Sequence, residues 1–204
     1  MNKINYQKEL DKITDSLNGD VPKLFLHSCC APCSSYTLEY LSNYFDITVY
    51  YFNPNISPKA EFDKRYAEQK RLIEALPSKH PIKLVRGEYD YNDFLEIAKG
   101  YEDVPEGGER CFRCYRMRLE STAKLAKKQG FDYFCTTLSI SPLKNSQKIN
   151  EIGCEVAEKY GIKWLPSDFK KKEGYKRSIE LSREYQLYRQ NFCGCVFSKE
   201  NKDE

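Results

Sequence analysis

Apolar residues recur along the chain with two different spacings, which divide it into strand-like and helix-like segments. Short runs rich in β-branched and aromatic residues, such as 47–52, predict strands. Longer stretches between them predict helices, several of them bounded by a proline at the start or a glycine after the end. The predicted strands are residues 23–27, 47–52, 82–85, 133–137 and 162–164. The predicted helices are residues 5–17, 34–43, 58–76, 92–99, 110–129, 145–160 and 174–189.

This alternation predicts an α/β fold with three layers, in which helices cover both faces of a mostly parallel five-stranded sheet. We expect a single α/β domain over residues 1–204, with a lead-in helix at 5–17 and a C-terminal helix and tail at 174–197. In such sheets, ligand sites form beyond the carboxyl ends of the strands. Three loops follow predicted strands, at 28–33, 53–55 and 138–144, so we expect them to share one edge of the sheet.

Composition favours a globular protein of the cytoplasm. Hydrophobic residues make up 40% of the chain and charged residues 31%. The first residues are charged and polar, and no apolar run approaches the length of a membrane span, so we expect neither a signal peptide nor a transmembrane helix. Because thiols stay reduced in the cytoplasm, clustered cysteines there more often bind metal or carry out redox chemistry than form structural disulfides.

Seven of the nine cysteines fall into three tight groups. The first group is Cys29, Cys30 and Cys33, the second is Cys111 and Cys114, and the third is Cys193 and Cys195. Grouped thiols at these spacings are typical of soft-metal ligands or of redox pairs. The remaining two, Cys135 and Cys154, stand alone, and we expect both to be buried packing residues.

The first two groups together offer four thiolates to one centre. Cys111 and Cys114 lie at i and i+3 near the start of a predicted helix, whose unpaired N–H groups and dipole favour thiolates. Adjacent Cys29 and Cys30 can serve one centre only if the backbone turns sharply after the strand. Both a zinc ion and a [4Fe–4S] cluster accept four thiolates, and these spacings alone leave both open.

The third group favours the iron–sulfur alternative. One glycine between Cys193 and Cys195 allows a disulfide in a very small ring, and strained disulfides are readily reduced. Such a pair is a poor structural cross-link but can store two electrons, although both thiols could instead ligate metal. A four-thiolate centre beside a two-electron dithiol indicates reduction chemistry. His27, at a strand end next to the thiols, could donate a proton or orient a ligand.

Positive charge is concentrated in two segments, although the net charge is only +3. Residues 110–128 hold seven basic side chains against one acid, and residues 170–189 hold seven against three. Several tyrosines lie within these segments, and cationic and stacking side chains together suit RNA. Two solvated helix faces are the structural alternative.

Six motifs in register resemble the QueH-type epoxyqueuosine reductases, across residues 23–197. The motifs are His-x-Cys-Cys-Ala-Pro-Cys at 27–33, Tyr-Phe-Asn-Pro-Asn-Ile-x-Pro at 51–58, Glu-Arg-Cys-x-x-Cys-Tyr at 109–115, Thr-Thr-Leu-x-x-Ser-Pro-x-Lys-Asn at 136–145, Phe-Lys-Lys-x-x-Gly-Tyr at 169–175, and Leu-Ser-x-Glu-Tyr-x-Leu-Tyr-Arg-Gln at 181–190 followed by Cys-Gly-Cys at 193–195. The resemblance implies a fold similar to the adenine-nucleotide α-hydrolases. It also implies reductive deoxygenation of epoxyqueuosine to queuosine at the wobble position of tRNA.

The resemblance further implies roles for individual residues. Cys29, Cys30, Cys111 and Cys114 would hold a [4Fe–4S] cluster, Cys193 and Cys195 would be the redox-active pair, and Cys33 could serve a second iron or zinc ion. A metal with an open position could weaken the epoxide C–O bond as a Lewis acid. An external reductant would restore the electrons. The sequence does not choose among His27, Glu109 and Asp168 as proton donor. The expected tRNA contacts are Arg110, Arg113, Lys144, Lys170, Lys171, Lys172 and Arg177.

Two rival functions differ in what they require. An ATP-dependent tRNA-modifying enzyme of the same superfamily would need a glycine-rich, phosphate-binding turn after the first strand. Residues 28–33 contain no glycine, and thiolates there would repel phosphate. A zinc-stabilised tRNA-binding protein without catalysis would lack iron altogether.

Overall fold

A computed structural model describes residues 4–199, in which strands and helices follow the order expected from the sequence. The strands are β1 (Lys23–His27), β2 (Asp46–Tyr51), β3 (Lys83–Arg86), β4 (Tyr133–Thr136) and β5 (Lys163–Trp164). The helices are α1 (Tyr6–Ser16), α2 (Ala31–Leu41), α3 (Lys59–Ala75), α4 (Tyr91–Ala98), α5 (Glu109–Lys128), α6 (Ser146–Tyr160), α7 (Gly174–Glu184) and α8 (Val196–Lys199). No helix within residues 4–199 is long and apolar enough to cross a lipid bilayer.

The five strands form one parallel sheet in the order β3-β2-β1-β4-β5. In the middle of the sheet, Leu24 of β1 pairs with Ile47 of β2 on one side and with Tyr133 of β4 on the other. The strand order reverses between β1 and β4, and a crevice opens beyond the carboxyl ends of the strands at such a reversal. The first cysteine group, directly after β1, lies at this crevice.

Helices cover both faces of the sheet, as the α/β prediction required. Side chains along β1 alternate, so Leu24 and Leu26 pack on one face while Phe25 packs on the other. The first face contacts α1, α2 and α3, and the second contacts α5 and α6. Burial on both faces explains why the central strands are almost entirely apolar.

Several predicted boundaries differ from the structure for local reasons. Helix α2 begins at Ala31, three residues earlier than expected, because Pro32 fits the first helical turn, where no N–H partner is needed. Helix α7 ends at Glu184 rather than at 189, shortly before the left-handed Gln186 (φ +49°). The 3-10 turn Thr137–Ile140 and the short helix α8 were not predicted.

The two isolated cysteines behave differently. Cys135 is buried in the core, as predicted, and its sulfur lies 3.2 Å from the carbonyl oxygen of Leu165. The prediction that Cys154 is buried is wrong, because its position on α6 faces solvent.

Candidate functional site

The first cysteine group forms a compact set of three thiols at the carboxyl end of β1. Cys30 adopts an extended backbone (φ −172°, ψ 162°) and precedes the first turn of α2, so the chain turns sharply between strand and helix. The sulfurs of Cys29 and Cys30 lie 3.8 Å apart, and those of Cys29, Cys30 and Cys33 all lie within 4.8 Å of one another. Three sulfurs at this spacing can hold a metal ion or cluster.

The second group lies on the first two turns of α5. The backbone N–H of Gly107 donates a hydrogen bond to the Cys111 sulfur at 3.2 Å. Burial nevertheless raises the pKa of Cys111, and it raises the pKa of Cys114 to about 11. The expectation that the helix start favours both thiolates is therefore wrong for the protein without metal, because the loss of solvation outweighs the helix N–H groups.

The third group is a tight turn held against α3. The N–H of Ser57 donates to the Gly194 carbonyl at 2.9 Å, and Arg65 donates to the Cys193 carbonyl at 3.0 Å. Gly194 has a φ of +111°, and a Cβ there would lie 3.0 Å from Ile56. Glycine is therefore required here both by the positive φ and by the lack of room for a side chain. Cys193 and Cys195 are free thiols, like the other seven cysteines.

All seven grouped cysteines line two adjoining cavities. The thiol cavity, of about 490 Å³, is lined by Cys29, Cys30, Cys33 and Cys193. A much smaller inner cavity is lined by Cys111, Cys114, Cys193 and Cys195. Both cavities share Cys193 together with Asn55, Glu106, Arg118 and Lys144. The loops after β1, β2 and β4 meet in the thiol cavity, which confirms the shared edge predicted from the sequence.

Two cations lie between the cysteine groups. Arg118 is 2% exposed and donates to the Cys114 carbonyl (3.3 Å) and to the Asn53 side-chain oxygen (3.4 Å). No carboxylate of residues 4–199 forms an ion pair with it. The ammonium of half-buried Lys144 lies 4.0 Å from the Cys193 sulfur. Burying a cation without an anionic partner is costly, so this pair fits a site that carries negative charge on sulfur.

Hydrogen bonds between neighbouring thiols, together with these cations, lower the pKa of some cysteines and raise that of others. Hydrogen bonds from the Cys30 and Cys33 thiols hold the pKa of Cys29 well below its usual range, and Lys144 acts in the same direction. A hydrogen bond from Cys195 likewise holds the pKa of Cys193 well below its usual range, helped by Lys144 and Arg118. The same pairings raise the pKa of Cys30 to about 12 and raise that of Cys195. The favoured thiolates are therefore Cys29, in the thiol cavity, and Cys193, which both cavities share.

His27 is placed inside the sheet rather than in either cavity. Its ring is fully buried, with Nδ1 2.8 Å from the Thr136 hydroxyl and Nε2 3.0 Å from the Phe52 carbonyl. Since a carbonyl only accepts, Nε2 donates to Phe52 and Nδ1 accepts from Thr136. Burial lowers the His27 pKa to about 3. The expectation of a proton donor is thus corrected: both ring nitrogens are occupied in joining the ends of β1, β2 and β4.

The expected tRNA contacts fall into two sets. Lys144 lines the thiol cavity, while Lys170 and Lys171 line a third, side cavity of about 590 Å³. The side cavity meets the thiol cavity at Pro142 and Tyr175.

The other four basic residues are engaged elsewhere. Arg110 is 2% exposed and donates to the Tyr101 carbonyl, so it is a buried structural residue rather than a surface contact. Arg113 lies 4.0 Å from the centre of the Tyr101 ring. Lys172 pairs with Asp11 at 2.7 Å, and Arg177 pairs with Glu39 at 2.6 Å.

Sequence reasoning missed two charged residues of the site. Arg118 was counted only as part of a basic segment, although 111, 114 and 118 lie on one face of a helix by their spacing. Glu106 lines both cysteine cavities, whereas the carboxyl groups considered from the sequence, Glu109 and Asp168, line neither. No sequence pattern distinguishes Glu106 from the other acids of its loop.

Comparison with known proteins identifies relatives over almost the whole chain. The sequence profile of the family "Epoxyqueuosine reductase QueH" matches residues 24–201. The chain is 48% identical to the epoxyqueuosine reductase QueH of Staphylococcus epidermidis, over 96% of this chain and 85% of that protein. It is 44% identical to the protein of the same name from Streptococcus pyogenes serotype M1, over 96% and 78% of the two chains. For that of Thermotoga maritima the identity is 37%, over 86% and 89%.

Proposed function

The chain belongs to the QueH family of epoxyqueuosine reductases, and from this premise we propose that epoxyqueuosine in tRNA is reduced to queuosine at its two cysteine-lined cavities. The observation that carries the proposal is the convergence of all seven grouped cysteines on these cavities at the carboxyl end of the sheet. Because tRNA is the substrate, we place the reaction in the cytoplasm.

The Cys193–Cys195 pair is proposed as the source of the reducing equivalents. Removing the epoxide oxygen as water and leaving an alkene consumes two electrons and two protons. Oxidation of the pair to one disulfide supplies the two electrons and, because Cys193 is the favoured thiolate, one proton from the Cys195 thiol; water supplies the second proton. The turn around Gly194 favours this role, since both thiols face the inner cavity and Cys193 also reaches the thiol cavity. An external reductant then returns the disulfide to the dithiol.

We propose that Cys29, Cys30, Cys111 and Cys114 hold a [4Fe–4S] cluster at the junction of the cavities. Four soft thiol donors match the ligand set of such a cluster, and buried Arg118 lacks the anionic partner that a thiolate-bound cluster would supply. The chemistry supplied by a bound cluster is one-electron transfer, which suits relay from an external reductant. Cys33 is left for a second metal ion, iron or zinc.

Arg118 and Lys144 balance the negative charge of the thiolates in this proposal, and Lys144 also keeps Cys193 in its reactive form. His27 acts as a positioning residue that fixes the strand ends around the thiols. One proton reaches the leaving oxygen from the Cys195 thiol and the other from water, not from His27.

The side cavity is proposed to bind the RNA that flanks the modified nucleotide. Lys171 would contact phosphate groups, and Tyr175 at the junction of the two cavities offers a ring for stacking. Lys170 already pairs with Asp168 at 2.9 Å. Lys144 extends this contact into the thiol cavity. Lys172 and Arg177 contribute only general positive charge, because acids already pair with both.

The decisive experiment is purification without oxygen, followed by iron and acid-labile sulfide analysis and an assay on tRNA that contains epoxyqueuosine. We expect a brown protein that forms queuosine when a chemical reductant is present. Cys193→Ser should abolish turnover yet retain the visible absorption of the cluster. Loss of that absorption would instead make Cys193 a ligand. A colourless, iron-free protein that binds tRNA without converting it would indicate the zinc-stabilised alternative. Conversion that depends on ATP would indicate the ATP-dependent tRNA-modifying enzyme.

A further inference from the structure

One side chain in the cysteine cavities has no part in the reaction proposed above. Among residues 4–199, Glu106 is the only carboxylate that lines either the thiol cavity or the inner cavity, and it lines both. The other charged groups on those walls are cations, namely Arg65, Arg110, Arg118, Lys144 and Arg189, or thiols. The Glu106 side chain is exposed to solvent, so its charge is stable without a partner and free to meet a ligand.

Glu106 has no partner within the described part of the chain. No hydrogen bond or ion pair from residues 4–199 reaches its carboxylate. The cations around it are directed elsewhere: Arg65 pairs with Glu61 at 2.7 Å, and Lys144 lies beside the Cys193 sulfur. The carboxylate is therefore available to a ligand.

The backbone holds Glu106 in a defined place. The N–H of Gly108 donates to the Pro105 carbonyl at 3.1 Å and closes a tight turn in which Glu106 and Gly107 are the central residues. Gly107 has a φ of +92°, as the third position of such a turn requires, and its N–H binds the Cys111 sulfur. Glu106 is thus tied to the position of a cysteine that we propose as a cluster ligand.

Epoxyqueuosine carries a positive charge that could pair with the Glu106 carboxylate. In epoxyqueuosine, a secondary amine links the base to the cyclopentane ring that bears the epoxide and two hydroxyl groups. An aliphatic secondary amine is protonated at neutral pH, so the group next to the epoxide enters the cavity as a cation. The arginine and lysine side chains on the cavity walls repel this cation, and the thiolates there are already balanced by Arg118 and Lys144, so a further anion is needed to attract it.

We propose that Glu106 binds the secondary ammonium group of epoxyqueuosine and so distinguishes the modified nucleotide from an ordinary guanosine. This inference rests on the proposed function, since it assumes that the epoxide enters the thiol cavity. Glu106 acts in binding, whereas the reducing equivalents come from the Cys193–Cys195 pair.

The test compares Glu106→Gln with the wild type in binding to two labelled anticodon stem-loops, one with epoxyqueuosine and one with guanosine at the same position. Fluorescence anisotropy is measured anaerobically on the metal-loaded protein, with Cys193→Ser present in every form compared, so that the dithiol cannot convert the bound epoxide. The matched control is Glu102→Gln, which removes the same charge from the same loop outside both cavities. We expect Glu106→Gln to weaken binding of the modified stem-loop by about 10-fold or more, as for loss of a charge-assisted hydrogen bond. Binding of the guanosine stem-loop should stay unchanged, and Glu102→Gln should match the wild type.

Two further measurements separate binding from other roles. Iron and sulfide contents of Glu106→Gln should equal those of the wild type, and loss of iron would make Glu106 a metal ligand and overturn the inference. In steady-state assays KM should rise while kcat is largely retained. A fall in kcat alone would make Glu106 a proton donor and also overturn the inference. A wild-type protein that converts its substrate yet binds both stem-loops equally would refute the role of Glu106 and leave the proposed function intact.

Discussion

At the scale of single residues, buried Arg118 is the best indicator of what this site holds. It lies seven residues after Cys111 and four after Cys114 on α5, so all three side chains share one face of the helix. No carboxylate of the described residues compensates this charge. Its hydrogen bonds go to neutral oxygens at 3.3 and 3.4 Å. Such a residue is stabilised when anionic sulfur is next to it, as the proposed cluster would provide.

The ligand set can be resolved by comparing Cys33→Ser with Cys111→Ser. We expect Cys111→Ser to lose most of its iron and visible absorption, because one of four proposed cluster ligands is removed. Cys33→Ser should keep the cluster, since Cys33 lies outside that set. Iron and sulfide analysis of anaerobically purified protein measures both. The reverse result would mean that the compact group of Cys29, Cys30 and Cys33 binds the cluster without α5.

His27 is predicted to stabilise the fold. Replacement by alanine removes a fully buried ring and leaves the Thr136 hydroxyl and the Phe52 carbonyl without their partner. We expect His27→Ala to lower the free energy of unfolding by about 2–4 kcal/mol. Urea denaturation measures the change. His80→Ala, at the only other histidine, is the control and should cost less than about 1 kcal/mol; equal losses would contradict the structural role of His27.

At the scale of secondary-structure elements, close packing can outweigh the helix propensity of a residue. Helix α6 contains Gly153, although glycine is a poor helix former. A Cβ at this position would lie 2.3 Å from the Trp164 ring of β5. The ring is fixed, because its N–H donates to Asn150 at 3.0 Å and it packs on Phe134. The glycine therefore lets α6 approach the edge strand of the sheet.

Gly153→Ala tests which effect is larger. Alanine gains up to about 1 kcal/mol of helix propensity, whereas overpacking a fixed core costs about 1–3 kcal/mol. We expect a net loss of about 1–2 kcal/mol in the free energy of unfolding. Thermal or urea unfolding measures it, with Cys154→Ala, at the neighbouring exposed position, as the control. A stabilised Gly153→Ala variant would show that Trp164 can move.

At the scale of the whole molecule, the distribution of charge matters more than its small net value. The side cavity brings Lys170 and Lys171 next to the opening of the thiol cavity, and the side chain of Lys171 is exposed. Several other basic residues of the same segments are neutralised by ion pairs or buried. The surface available to RNA is thus smaller than the two basic segments indicated.

Lys171→Ala should weaken binding of tRNA and reduce its dependence on salt. Loss of one phosphate contact lowers the slope of log K against log salt by about 0.7–0.9. Affinity titrations at several salt concentrations measure the slope. Lys83→Ala is the control, because Lys83 lies on β3 and its ammonium is 3.8 Å from Asp46 rather than in the side cavity. Equal slopes for the two variants would contradict the assignment of the side cavity to RNA.

The sequence by itself determined the order and type of the main elements, the parallel α/β sheet and the shared edge of its three loops. Apolar spacing specifies these features, because each strand and helix must bury the side chains that its own period places on one face. The cysteine spacings by themselves also indicate metal or redox chemistry.

Only the tertiary structure decided what each polar group of the site faces. It placed His27 between strand ends instead of in a cavity, buried Arg110 and Arg118, and put Glu106 at the junction of the thiols. It also brought Cys193, from the C-terminal tail, beside Lys144 of a loop after β4. These relations depend on contacts between residues far apart in the chain, and neither local spacing nor composition contains them.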